Sequence, residues 1–388
     1  MASPMCERAI EDANTYGKAI LKYISRNDVG LTGGHQAGFY LPKPVWEMYT
    51  NIPPDKGINA DHSVSVTWPN GLITDSKVKW YGKTKDEYRL TSFGKDFPYR
   101  TFDNPGDLLV IIPKSLDEFI AYVLFLDEDI EEIQTALGVE VLKNWNVYIK
   151  GFQPVVAEDE CLDKKFRTFA AAVQKFPEVK VFSAAVRDYI LECVKNFTGL
   201  SEDQQLLRLV REEYNLFKMV ERKIFQPEVQ RLFESIDDFV STAHKILNAR
   251  KSRAGRSLEN HVEYLLMQAQ IPFEMRKMID NTRPDVIIPG KAEYDDPQFP
   301  RDRLIMIGVK TTCKDRWRQV TKEAPQIETK HILTLQDGIS GKQLDEMLLS
   351  NVALVVPKEL HKRYPQDHPI ALLEVHAFIE SIRQLFLQ

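Results

Sequence analysis

The chain has little that would tie it to an oxidising compartment, a membrane or a structural metal. Only four of its 388 residues are cysteine (Cys6, Cys161, Cys193, Cys313), scattered and without a C-x-x-C pair. That argues against a disulfide framework and against a zinc site. No apolar run approaches the roughly 20 residues of a membrane span, and the N-terminus lacks the apolar core of a signal peptide. A cytoplasmic protein without membrane contact is the expectation. Positive charge is not in excess either. The formal net charge is −5, so any affinity for nucleic acid has to come from local patches.

What is present is ordinary for a globular protein. With 43% hydrophobic and 28% charged residues in 388, the chain predicts at least two domains, each long enough to bury a core. Basic residues gather in three runs. Lys77 to Arg100 holds seven against three acids, Lys245 to Arg256 five against none, and Lys310 to Lys322 five against Asp315. One such run is usually a solvated face; three, one of them beside a chemically suggestive stretch, point to a polyanion. The acids concentrate elsewhere, as in Asp127-Glu128-Asp129 and Glu131-Glu132.

The first half reads as strands and turns. After a helix over Ala9 to Tyr23, Gly33-Gly34 allows a tight turn before an alternating segment, Phe39-Tyr40-Leu41. Val64 to Trp68 alternates with period two, while Leu108 to Ile112 and Ala121 to Leu126 read as buried strands. Asp127 is placed to cap a helix, Ile130 to Leu137, that Gly138 ends. Many short strands with a small helix predict an open β-barrel. The pattern weakens from Ala157 to Lys180, so the expected division is domain 1–157, linker 158–180 and domain 181–388. Helical periodicity then runs from Phe182 to Ala254. Ser201-x-x-Gln204 starts one helix with a capping box, Pro227 is expected to break it, and Arg253 to Ser257 opens another helix over Leu258 to Gln268.

The second half centres on Leu304 to Ala324. Leu304 to Val309 is a continuous apolar run, a strand buried on both faces, with Lys310 at its end. Thr311 and Thr312 are expected to cap a following helix, on which Arg316, Gln319 and Glu323 share one face. Twenty-five residues before Lys310, Asp285 opens another apolar strand, Val286-Ile287-Ile288. An acid, a lysine and a second carboxylate are what metal-dependent phosphodiester hydrolysis needs. Magnesium takes one or two carboxylates, waters and substrate phosphate. It acidifies a bound water and offsets charge on phosphorus. Strands and helices alternate to the C-terminus, predicting an α/β domain with a mixed sheet between helices. Asp295 and Asp296 are read as solvated. His261 has no second ligand at metal spacing.

These pieces resemble the PD-(D/E)xK nuclease core, with one departure. The acid ordinarily found two residues before the lysine is replaced by Gly308. Glu323, thirteen residues after Lys310, can supply it instead. That displacement, with VKTTCKDRWRQ, RAGRSLENHVEYLL and LVVPKELHKRYP, is similar to the EcoRII-type (type IIE) restriction endonucleases. TGGHQAGFYLP and YGKTKDEYRLTSFG extend the resemblance to the N-terminal half. There it implies a mainly-β pseudobarrel DNA-binding domain, like those of plant transcription factors, which acts as effector and inhibitor of the catalytic half.

The resemblance implies a type II site-specific deoxyribonuclease of a restriction-modification system. It would cleave double-stranded DNA with Mg²⁺, as a homodimer, at a CC(W)GG-like site, and engage two copies of that site. A DNA methyltransferase acting on the same site would be its counterpart. Asp285 and Glu323 would hold the metal, with Lys310 at the attacking water or the phosphate charge. Glu259 is either an acid assisting metal binding or an exposed salt-bridging residue. Asp315 and Arg316 would read a G·C pair, though Arg316 also suits a salt bridge to Glu323. Lys314 and Arg318 would meet phosphate or assist reading. On the N-terminal arms, His35 and Tyr40 belong to one, and Lys83, Lys85, Glu87 and Arg89 to the other. Taken alone, His35 is a turn histidine. The rival reading is a sequence-specific DNA-binding regulator with an inactive nuclease fold.

Overall fold

The computed structural model describes residues 2–32, 38–142, 144–151 and 159–386. Contacts within the chain divide it into two units. One holds Met1–Gln153 with Asp337–Leu344 and Lys362–His368, the other the rest.

The first unit runs α1 (Pro4–Tyr16), β1 (Lys18–Tyr23), β2 (Phe39–Leu41), β3 (Asn59–Thr67), β4 (Ile73–Tyr81), β5 (Tyr88–Thr91), β6 (Leu108–Pro113), β7 (Glu118–Leu124), α2 (Asp127–Leu137) and β8 (Trp145–Ile149). The eight strands form one curled sheet in the order β2-β5-β4-β3-β7-β6-β1-β8. Its pairings are antiparallel except β3 with β7. Apolar continuity in β1 and β6 has a direct cause: both strands are covered on both faces. Ile20, Leu109 and Ile111 point into a core with Phe39, Trp68 and Trp80. Ala19, Leu21, Leu108 and Val110 point into a second core with Ala9 of α1 and Ile130 and Ile133 of α2. The expected helix over Ala9 to Tyr23 ends earlier, because Gly17 turns left-handed (φ 69°) and β1 begins at once. Gly138 ends α2 as expected, but Asp127 lies inside its first turn rather than at the cap.

The second unit begins in helices: α3 (Glu160–Ala172), α4 (Val179–Cys193), α5 (Glu202–Gln230) and α6 (Ile236–Gln268). The stretch expected to be linker, 158–180, contains α3, whose Leu162 and Phe166 are fully buried against α4 and α5. A Cys161–Cys193 disulfide joins α3 to α4, where the scattered cysteines had argued against such bonding. Fold proximity, not sequence spacing, brings the two together. Ser201 caps α5 by accepting from Gln204 N at 3.3 Å. Pro227 does not break that helix, which runs on past it to Gln230. Likewise Arg253 to Ser257 lie inside α6, not at the start of a helix.

Then follow β9 (Glu274–Met275), β10 (Val286–Ile288), α7 (Lys291–Asp295), β11 (Ile305–Lys310), α8 (Trp317–Val320), β12 (Lys330–Thr334), α9 (Gly341–Leu349), β13 (Val352–Val355), α10 (Lys358–His361), β14 (Leu372–Leu373) and α11 (Val375–Phe386). The sheet is mixed, in the order β14-β13-β12-β11-β10-β9. Strands β9 to β11 pair antiparallel and β11 to β14 parallel. Helix α6 packs on β11, and α11 sets Phe378 against His331 of β12. Among the described residues, no helix is long and apolar enough to cross a membrane.

Candidate active site

Two neighbouring strand ends build the site. Strands β10 and β11 pair with Val286 opposite Ile307. One step further along this register, Asp285 faces Gly308. Its Oδ2 accepts from Val309 N at 2.8 Å and from Lys310 Nζ at 2.6 Å. Asp285 is only 8% exposed, and the ammonium partner offsets the cost of burying its charge.

Glu323 arrives from the far side of a turn. The expected helix over 311–324 is a single turn, α8, and Thr312 caps nothing: its Oγ1 is buried without a partner. After α8 the backbone makes tight turns, with Lys322 N donating to Gln319 O and Glu323 N to Val320 O. The i, i+7 alignment of Arg316 with Glu323 is therefore lost. The inward packing of Trp317, Val320 and Ala324 does form; all three are buried. Glu323 Oε2 is buried and accepts no hydrogen bond. Burial pushes this carboxyl up to about 7, with Lys310 pulling down, Asp285 adding to the rise and Lys330 pulling down. A half-buried carboxylate without a donor, beside a second carboxylate, is short of positive charge.

Glu259 of α6 completes the group. It is 8% exposed and ion-paired to Arg276. Burial raises its pKa, the Arg276 hydrogen bond opposes this, and Asp285 raises it further. Glu259 is thus a salt-bridging residue, but a buried rather than an exposed one, and it feels the charges of Asp285 and Lys310. Among the described residues no three His, Cys, Asp or Glu side chains gather as a ready metal cage. Magnesium does not require one, since it keeps several waters and uses one or two carboxylates. Asp285 and Glu323, with an orphaned oxygen on the latter, fit that ion. Asp295 pairs with Lys291 and Asp296 accepts from Gln298 N; both belong to the α7 loop. His261 is fully buried beside Glu213 at 2.9 Å, in the helical core.

The expected readers of DNA divide by exposure. In the second unit Lys314 is buried, Asp315 and Arg316 are half-buried, and exposed Arg318 pairs with Glu346 and lies over Trp317. In the first unit Lys83 and Lys85 are exposed on the turn between β4 and β5. Tyr40 is half-buried, and its N–H donates to Asp28 Oδ1 at 3.0 Å. Arg89 is 3% exposed; it donates to Glu87 Oε1 at 2.9 Å and to Gly38 O at 2.8 Å. Arg89 thus ties β5 to Glu87 and to Gly38, which leads into β2, and is buried from solvent. His35 lies outside the described residues.

Buried Lys330 was missed by sequence reading. Its Nζ donates to Ala324 O at 2.8 Å and also to Ile327 O. Nothing local in Glu-Thr-Lys-His distinguishes it from a surface lysine.

The family description "EcoRII C terminal" matches residues 217–379, and "Restriction endonuclease EcoRII, N-terminal" matches residues 13–148. The chain is 32% identical over 386 residues to the type II restriction enzyme EcoRII of Escherichia coli, covering 94% of each. It is 26% identical over 148 residues to the type II restriction enzyme SsoII of Shigella sonnei, covering 35% of this chain and 47% of that one. A structure of metal-depleted Ecl18kI with uncleaved, modified DNA overlaps 57% of this chain and 83% of its own. At 20% identity and a TM-score of 0.47, that likeness adds nothing to the assignment. The full-length match extends through the stretch that sets Asp285, Lys310 and Glu323 side by side, and on it the chain belongs to the EcoRII family of PD-(D/E)xK restriction endonucleases.

Proposed function

We propose that this endonuclease cleaves double-stranded DNA in a magnesium-dependent reaction at a CC(W)GG-like site, as a homodimer, with a second copy of the site bound by its N-terminal domain. The observation that carries the chemistry is the meeting of Asp285, Lys310 and the unpartnered Glu323 at two strand ends. Asp285 and Glu323 would hold Mg²⁺, which when bound acidifies a water and neutralises charge on the scissile phosphate. Asp285 is held in place by Val309 N and Lys310 Nζ. Lys310 presents its ammonium at the same point, where it orients the attacking water or stabilises the phosphate charge. Glu259, tied to Arg276, supports the acid pair from α6.

For recognition, Arg316 donates to guanine and Asp315 accepts from cytosine. The exposed Lys83 and Lys85 meet the second duplex, with Tyr40 and His35 on the neighbouring arm. Arg89 and Glu87 serve as the brace that holds these arms. A mainly-β pseudobarrel effector domain, followed by a catalytic half whose helical core already includes α3, fits this division of labour. A DNA methyltransferase protecting the same site is the expected counterpart, in the cytoplasm.

The test is digestion of unmethylated DNA with Mg²⁺, followed by sequencing of fragment ends, beside Asp285→Asn and Lys310→Ala. Uniform ends from the unaltered chain, with cutting lowered at least ~10²-fold in each variant and specific binding retained, are expected. Specific binding without cutting by the unaltered chain, even with added cognate duplex, would favour the regulator instead.

A further inference from the structure

Displacement of the second acid from position 308 to Glu323 has a steric counterpart in the packing. Residues 308 and 310 point to the same face of β11, so a side chain at 308 would stand beside Lys310. That space is taken. A Cβ built on Gly308 would lie 2.8 Å from Val320 Cγ2 and 3.1 Å from Cγ1. Val320 itself is fully buried. The two positions for the acid therefore exclude each other: a side chain at 308 displaces Val320, and Val320 leads directly into the turn bearing Glu323.

The rest of that turn is pinned from the other side. Ala324 takes a left-handed φ of 42°. Its N–H donates to Thr282 Oγ1 at 3.3 Å, and its carbonyl accepts from buried Lys330 at 2.8 Å. Glu323 thus hangs between two anchors, Val320 in the notch at Gly308 and Ala324 between Thr282 and Lys330.

We propose that Gly308 and Val320 are positioning residues: the empty notch seats Val320, and seating Val320 delivers Glu323 to Asp285 and Lys310. This rests on the reading of Glu323 as a ligand of the catalytic metal. A close-packed notch responds to a single methyl, and two residues sharing it must couple rather than act independently.

A double-mutant cycle tests it on the full-length protein: Gly308→Ala, Val320→Ala and the pair together. Two quantities are read, the Mg²⁺ concentration giving half-maximal cutting and the binding of Mn²⁺ alone to DNA-free protein by calorimetry. Gly308→Ala should weaken both by ~10-fold or more, and the double variant should return to within ~3-fold of the unaltered chain, because the added methyl occupies volume vacated by valine. Specific DNA binding without metal should not change. Gly308→Ala behaving like the unaltered chain, or a double variant no better than Gly308→Ala, overturns the proposal. Should Gly308→Ala fail to fold, Val320→Ala alone decides: weaker Mn²⁺ binding supports the proposal and unchanged binding overturns it. Glu323→Gln separates the two levels. Full cutting by that variant removes Glu323 from the metal site, whereas loss of cutting beside an additive cycle refutes only the positioning role.

Discussion

Replacing Glu323 with glutamine should stabilise the metal-free protein while abolishing cleavage. Its carboxyl is pushed from the ordinary 4.5 to about 7, chiefly by burial. The folded state therefore holds a proton that the unfolded chain has released. Stability of the unaltered chain falls as pH rises from about 4.5 to about 7 and stays low above it. The full displacement corresponds to about 3 kcal/mol, and because the side chain is only half-buried, solvent screening reduces this to about 1–2 kcal/mol. Glutamine does not titrate and keeps hydrogen-bonding capacity. At pH 8 without divalent ions, thermal unfolding should show the variant melting about 3–6 °C higher, in the transition of the unit carrying the site. The gap should close near pH 4, where both forms are neutral. Mg²⁺ should raise the melting point of the unaltered chain and leave the variant unmoved. A variant melting at or below the unaltered chain at pH 8, or a gap independent of pH, would refute the reasoning.

The same carboxyl sets the pH dependence of metal use. The Mg²⁺ concentration for half-maximal cutting should fall ~10-fold between pH 6 and pH 8 as Glu323 ionises; a flat profile would remove Glu323 from the metal site. Replacing Lys83 and Lys85 together with alanine should weaken binding of duplex DNA by the N-terminal domain and reduce the slope of log affinity against log salt by about 2, measured by fluorescence anisotropy; an unchanged slope places neither lysine at phosphate. Removing residues 1–158 should leave a folded nuclease that cuts single-site DNA. Removing residues 1–180 also strips Leu162 and Phe166 of α3 from the helical core and should cost about 3–6 kcal/mol, seen as a lower urea midpoint.

Some features required no tertiary information. The strands β10 and β11 were legible because both are continuous apolar runs, and such runs are buried wherever the chain goes. Asp285 and Lys310 were legible with them, since Asp285 opens its strand and Lys310 closes its own. The curled N-terminal sheet showed in the short alternating segments, and the mixed α/β unit in the order of its elements.

Other features depended on what fills space between distant residues. Periodicity extends a helix through Glu323, but α8 stops after one turn, at Val320, which packs against Gly308. Arg89 and Lys314 look in sequence like free cations. Tertiary packing buries both, and Arg89 is spent on Glu87 and Gly38. The weakened pattern between 157 and 180 reads as linker, yet α3 finds an apolar partner surface and a disulfide to Cys193. The sequence by itself determined which groups are candidates for the chemistry, because residue type and strand ends are local properties. Only the tertiary structure decided how Glu323 approaches Asp285, and the close contact between residues 308 and 320 beside it rests on excluded volume, a quantity no local pattern encodes.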